Sequence, residues 1–96
     1  MKVVINRCWG GFALSDNAEK DLNVNEDSCY PNGMDIYDDE ARTYQPLIDL
    51  IEEKGSEYVS DRYAKLRIVE IPDDVDWYIS DYDGMEEVEE VHRSWY

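Results

Sequence analysis

From Ile68 to Val91 the chain carries Glu70, Asp73, Asp74, Asp76, Asp81, Asp83, Glu86, Glu87, Glu89 and Glu90, with no Lys or Arg among them. Ten like charges repel one another and oppose compaction. Any fold must therefore hold this stretch near its surface. The expectation is that these carboxylates face outward as one continuous negative patch.

The whole chain has the same bias. Its 24 Asp and Glu outnumber 9 Lys and Arg, for a formal net charge of -15. A phosphate backbone is bound by cations that displace its counterions, so direct nucleic-acid binding is excluded as a class. Anionic membrane surfaces are excluded for the same reason. The partners such a surface admits are a basic protein groove or divalent cations.

Length and composition set the scale. The 96 residues amount to one domain, spanning 1–96. A domain of this size buries somewhat more than about 60% of its unfolded surface. A hydrophobic share of 43%, with 8 Tyr and 3 Trp, is enough for a modest core. No apolar run approaches the ~20 residues that span a bilayer. The opening apolar run of Val3, Val4 and Ile5 is too short for a signal peptide. Cys8 and Cys29 then read as reduced thiols, with a disulfide as the other reading.

The pattern along the chain predicts an α+β fold. β-Branched residues over 2–8 predict a first strand, ended by Gly10 and Gly11. Ser15 offers an N-cap for a short helix to about Leu22. Residues 23–40, rich in Asn, Asp, Pro and Gly, read as a long loop, which in a compact domain is functional or shaped in some way not legible locally. Pro46 at the first turn, the stripe Leu47, Leu50 and Ile51, and Gly55 at the end predict a helix. A second helical stretch covers 56–63. Residues 65–71, apolar on both sides, predict a central strand. After a turn at Pro72, residues 76–82 predict another strand, with Trp77 and Ile79 on one face and Tyr78 and Tyr82 on the other. Asp83-Gly84 is a strong hairpin signal, with a returning strand over 86–93. A capping box at Asp83 and Glu86, opening a final helix, is the competing reading. Together these predict a small, mostly antiparallel sheet of the first strand, 65–71 and the C-terminal β-hairpin, covered by one or two helices.

Two blocks resemble a family of small tailed-bacteriophage proteins. One is the opening, from Met1-Lys2-Val3-Val4-Ile5-Asn6 through Cys8-Trp9-Gly10-Gly11-Phe12 to Leu14-Ser15. The other is Leu66-Arg67-Ile68-Val69-Glu70-Ile71-Pro72-Asp73-Asp74-Val75, followed by Tyr82-Asp83-Gly84 and His92-Arg93-Ser94-Trp95. The resemblance covers about half the chain and leaves 18–45 unmatched. It implies a viral accessory protein resident in the host cytoplasm, and it implies no reaction and no catalytic residues.

Several motifs admit a sharp and a plain reading. Asp81, Asp83, Gly84 and Glu90 match later positions of a calcium loop, but Ile79 stands where the first ligand belongs. On a returning strand, Glu86, Glu90 and His92 share a face and could hold a divalent metal or move protons. The plain reading has the two Glu solvated and His92 paired with a carboxylate. Cys8 with His92 as base would need the chain ends to meet, and a Cys at a strand end is more often small apolar filling. Gly10-Gly11 fits a tight turn better than a phosphate cradle. Trp77, Tyr78, Tyr82, Trp95 and Tyr96 among carboxylates look like interface anchors, though the core must take some of them.

The resulting expectation is a non-catalytic acidic binding protein with no cofactor, using Glu70, Asp73, Asp74, Asp76, Asp81, Asp83, Glu86, Glu87, Glu89 and Glu90 as its contact face. Its partner is a basic host nucleic-acid-binding or defence protein, which it inhibits by mimicking nucleic acid. The alternatives are a metal-binding protein or small enzyme built on Cys8, Glu86, Glu90 and His92, and a phage assembly accessory.

Overall fold

A computed structural model describes residues 1–91. In chain order it contains β1 (Lys2–Asn6), α1 (Asp16–Asp21), a 3-10 turn (Glu40–Thr43), α2 (Gln45–Lys54), α3 (Ser56–Val59), β2 (Leu66–Glu70), β3 (Trp77–Tyr82) and β4 (Met85–Glu90). The fold is α+β, as the sequence predicts.

The sheet differs from expectation. Two separate antiparallel pairs form, β1 with β2 and β3 with β4, instead of one continuous sheet. Nor is β2 a central strand, since among the described residues β1 is its one partner strand. The reason lies at its outer edge. The Leu66 amide donates to Ser60 Oγ at 2.8 Å, and the Leu66 carbonyl accepts from Ser56 Oγ. Serine hydroxyls from α3 and the residue after it thus satisfy backbone groups that another strand would otherwise take.

The helices follow their local signals. Ser15 Oγ accepts from the Ala18 amide at 3.1 Å and caps α1. In α2, Pro46 occupies the first turn while Leu47, Ile48, Leu50 and Ile51 are buried. Gly55, at φ 91°, ends α2 in a conformation that costs glycine little. The stretch 56–63 yields only the short α3, because the chain leaves helical geometry at Ser60.

The 23–40 loop is shaped by its own side chains. Asn25 Oδ1 accepts from the Asp27 and Cys29 amides, Asn32 Oδ1 from Met34, and Asp35 Oδ1 from Tyr37. The three bonds to the amide two residues on are Asx turns, and Asn25 also reaches Cys29, four residues on. They deliver Tyr30 and Ile36 into the core, where the Tyr30 ring stacks on Tyr44 at 4.1 Å.

Most of the core is one cluster, running from Val4, Phe12 and Leu14 through Tyr30, Leu47 and Ile51 to Val59 and Leu66, with Val3 and Ile5 buried outside it. It includes no residue of β3 or β4. The terminal hairpin sits beside the apolar core, in a molecule 44 Å long and 27 × 25 Å across. Its turn settles the competing readings of the last segment. Asp83 and Gly84 take φ of 51° and 90°, the left-handed pair of a two-residue hairpin turn, with Tyr82 opposite Met85. The returning strand ends at Glu90, short of the predicted Arg93, which lies outside the described residues together with the rest of 92–96.

Candidate functional site

The register of the hairpin decides where its carboxylates go. Trp77 faces Glu90, Ile79 faces Val88 and Asp81 faces Glu86, so these six side chains share one face. Tyr78 faces Glu89, Ser80 faces Glu87 and Tyr82 faces Met85 on the other. The predicted split of Trp77 and Ile79 from Tyr78 and Tyr82 is what the structure shows.

Glu86 is the correction. Expected in the outward acidic face, it is buried, with 3% of its surface exposed. Its Oε1 lies 2.6 Å from Arg42 Nη1 and its Oε2 2.9 Å from Arg42 Nη2, a fork-to-fork pair. Oε1 also accepts from the Asn6 amide at 2.8 Å. Arg42 is equally buried and lies over the Phe12 ring, 3.7 Å from its centroid. A charge taken this far from water is tolerable only with such a partner.

Around this pair the hairpin is fixed by polar contacts. The Arg7 guanidinium donates to the Glu86 carbonyl at 2.9 Å. Asn6, wholly buried, donates from Nδ2 to the Cys8 and Gly84 carbonyls at 2.6 Å each, and its Oδ1 accepts from the Lys65 amide. Gly84 approaches the Cys8 to Gly11 turn so closely that a Cβ would fall 2.6 Å from the Trp9 carbonyl oxygen and the Gly11 nitrogen.

The other nine predicted residues divide. Glu70, Asp73, Asp74, Asp76, Asp81, Asp83 and Glu87 are exposed, and Glu89 and Glu90 are half-buried. Asp73 pairs with the Met1 ammonium at 2.5 Å. Glu87 stands 3.7 Å from Arg7, too far for a direct hydrogen bond. Asp81 Oδ1 accepts from the Gly84 amide at 2.8 Å and so braces the turn. Since Glu87 and Glu89 lie on one face of the hairpin and Asp81 and Glu90 on the other, the acids form two flanks rather than one patch. Strand alternation requires this.

The flank of Glu87 and Glu89 also carries exposed aromatic rings. Tyr82 is 72% exposed and meets Trp9, 61% exposed, edge to face at 6.1 Å. Tyr78, on the same face, is also exposed. The sequence places Tyr78 and Tyr82 here; Trp9 arrives from the distant turn after β1.

The alternative metal set does not assemble in the described residues. The Glu86 carboxylate is taken up by Arg42 and Asn6. Glu90 lies four residues further along the same strand, about 13 Å away at ~3.3 Å per residue, beyond the span of one ion. No cluster of three His, Cys, Asp or Glu suited to a metal occurs among the described residues. Cys8 is a half-buried free thiol, as is Cys29, and His92 lies outside the described residues. No helix there is long and apolar enough to cross a membrane.

Sequence reasoning missed Arg42, Asn6 and Phe12. The available signal was Arg42 itself, a lone cation beside Ala41 just ahead of the apolar stripe of α2.

Comparison with known proteins returns no matching family model, no matching curated protein and no matching solved structure.

Proposed function

We propose that this chain is a non-catalytic binding protein that grips a cationic surface of another protein with the outer flank of its terminal hairpin. One observation carries the reading. Tyr78 and Tyr82 stand exposed beside Glu87 and Glu89 on a hairpin with no residue in the main apolar cluster, and the exposed Trp9 meets Tyr82 from the turn after β1. Exposed aromatic rings contribute little to folding, whereas in an interface they are the usual anchors. The carboxylates around them steer a basic partner and select against acidic ones.

The sharper form of the proposal is inhibition of a host nucleic-acid-binding or defence protein, in keeping with the phage resemblance. A net charge of -15 favours it, because the clefts with which proteins hold nucleic acid are strongly cationic surfaces. With the acids on two flanks, the contact works through one aromatic-acidic face of the hairpin and does not copy a continuous phosphate ribbon.

The test is capture from host lysate on immobilised protein, at low and high salt, followed by competition with DNA. A basic nucleic-acid-binding protein that is retained at low salt and displaced by DNA supports the sharper form. Capture of phage virion proteins alone would support an assembly role instead.

A further inference from the structure

The opposite flank of the hairpin faces the 23–40 loop across a cleft of about 230 Å³. Phe12, Tyr37, Asp39, Arg42, Asp81 and the edge of Glu86 line it. We propose that this cleft receives an arginine side chain from a basic protein partner, its guanidinium paired with Asp39 and Asp81 and lying against Tyr37. This rests on the reading that the partner is basic, and it names the side chain that partner inserts.

Three observations converge on it. First, both carboxylates are held in place before any ligand arrives. Asp39 Oδ2 accepts from the Ile79 amide at 3.1 Å, and Asp81 Oδ1 accepts from the Gly84 amide at 2.8 Å. Each keeps its second oxygen for a visitor. Pre-set acceptors lower the cost of ordering on binding.

Second, the cleft's charge suits a cation. The Arg42 and Glu86 charges cancel, which leaves the two aspartates to set its sign. A second copy of this chain, itself at -15, would be repelled.

Third, the walls suit a planar cation. Tyr37 is 52% exposed and meets the Phe12 ring edge-on at 6.2 Å. One guanidinium already uses this chemistry from within, since Arg42 lies over Phe12 while paired to Glu86. Guanidinium groups stack on aromatic faces and fork onto carboxylates better than ammonium groups do.

The probe is N-acetyl-arginine-N-methylamide, titrated into the ¹⁵N-labelled full chain and followed by amide chemical shifts. The Ile79 and Gly84 amides should shift saturably, since they donate to the two aspartates. The matching lysine compound should bind more weakly, and the norleucine compound should leave both amides unmoved. The pair Asp39→Asn and Asp81→Asn keeps an acceptor for each amide and should weaken arginine binding by roughly tenfold. The pair Glu53→Gln and Glu57→Gln, the same charge change on exposed residues of α2 and α3, should change it less than about twofold. Absence of a shift up to roughly 50 mM, where a millimolar site would be saturated, overturns the assignment. So does an equal loss in both pairs. Neither result touches the outer flank, whose contact is read separately by lysate capture.

Discussion

The Asn6 amide and the Glu86 carboxylate meet at 2.8 Å across 80 positions of sequence. Asn6 ends β1, and its amide points away from β2, where a third strand would pair. Glu86 fills that place with a side chain, and Arg42 locks the side chain there. The hairpin is thus joined to β1 through two buried side chains, the Glu86 carboxylate and the Asn6 carboxamide that donates to the Gly84 carbonyl, instead of a ladder. This explains why two sheets form and why the acidic segment lies beside the core.

Removing that carboxylate should be costly. Glu86→Ala strands the Arg42 charge and the Asn6 amide in the interior, and a broken buried pair costs about 3–5 kcal/mol. A domain of this size holds only about 5–15 kcal/mol in total. Urea unfolding should show a large fall in midpoint. The double change Glu86→Leu with Arg42→Met should recover part of it, since an apolar pair of similar size leaves no stranded charge but still leaves the Asn6 amide without its acceptor.

Gly84→Ala should also destabilise, through its approach to the Trp9 carbonyl and Gly11 nitrogen. Gly33 has the same left-handed φ of 89° but open space around it. Gly33→Ala therefore isolates the conformational cost, roughly 1 kcal/mol. Thermal melts should place Gly84→Ala lower by a further ~1–3 kcal/mol of overpacking.

Ser15→Ala removes the acceptor for the Ala18 amide and the donor to the Tyr58 carbonyl. The loss should be about 1 kcal/mol, with circular dichroism showing reduced helicity that Ser15→Asp restores in part.

Tyr30 makes the fold sensitive to alkali. Burial raises its phenol well above the usual tyrosine value of 10.0, partly offset by the Arg42 charge. Once pH exceeds that ordinary value, the unfolded chain gives up this proton and the folded chain keeps it. Stability contributed by Tyr30 is therefore complete below about pH 10 and declines above it. Absorbance titration at phenolate wavelengths should show one tyrosine ionising only as the chain unfolds, and Tyr30→Phe should remove that step.

Much of this fold is written locally. Val3, Val4 and Ile5 specify a strand, Ser15 specifies a cap, and Asp83-Gly84 specifies a turn whose geometry fixes every pairing in the hairpin. Glu86 was not legible, because a carboxylate inside a run of carboxylates carries no mark of its partner. The partner, Arg42, sits in the 3-10 turn that follows a loop whose course depends on Asx turns and on Tyr30 and Ile36 reaching the core. The split of the sheet was hidden for the same reason, since it depends on side chains satisfying the outer edge of β2 and the free edge of β1. The outer flank was half legible. Alternation placed Tyr78, Tyr82, Glu87 and Glu89 together, but only the folded turn after β1 adds Trp9.

The most direct measurement compares lysate capture by the wild-type chain with capture by a Glu87→Lys, Glu89→Lys variant of equal thermal stability. If the outer flank is the contact, a basic protein should be retained by the first at low salt, released at high salt, and missing from the second. Recovery of the same proteins by both chains would contradict the account.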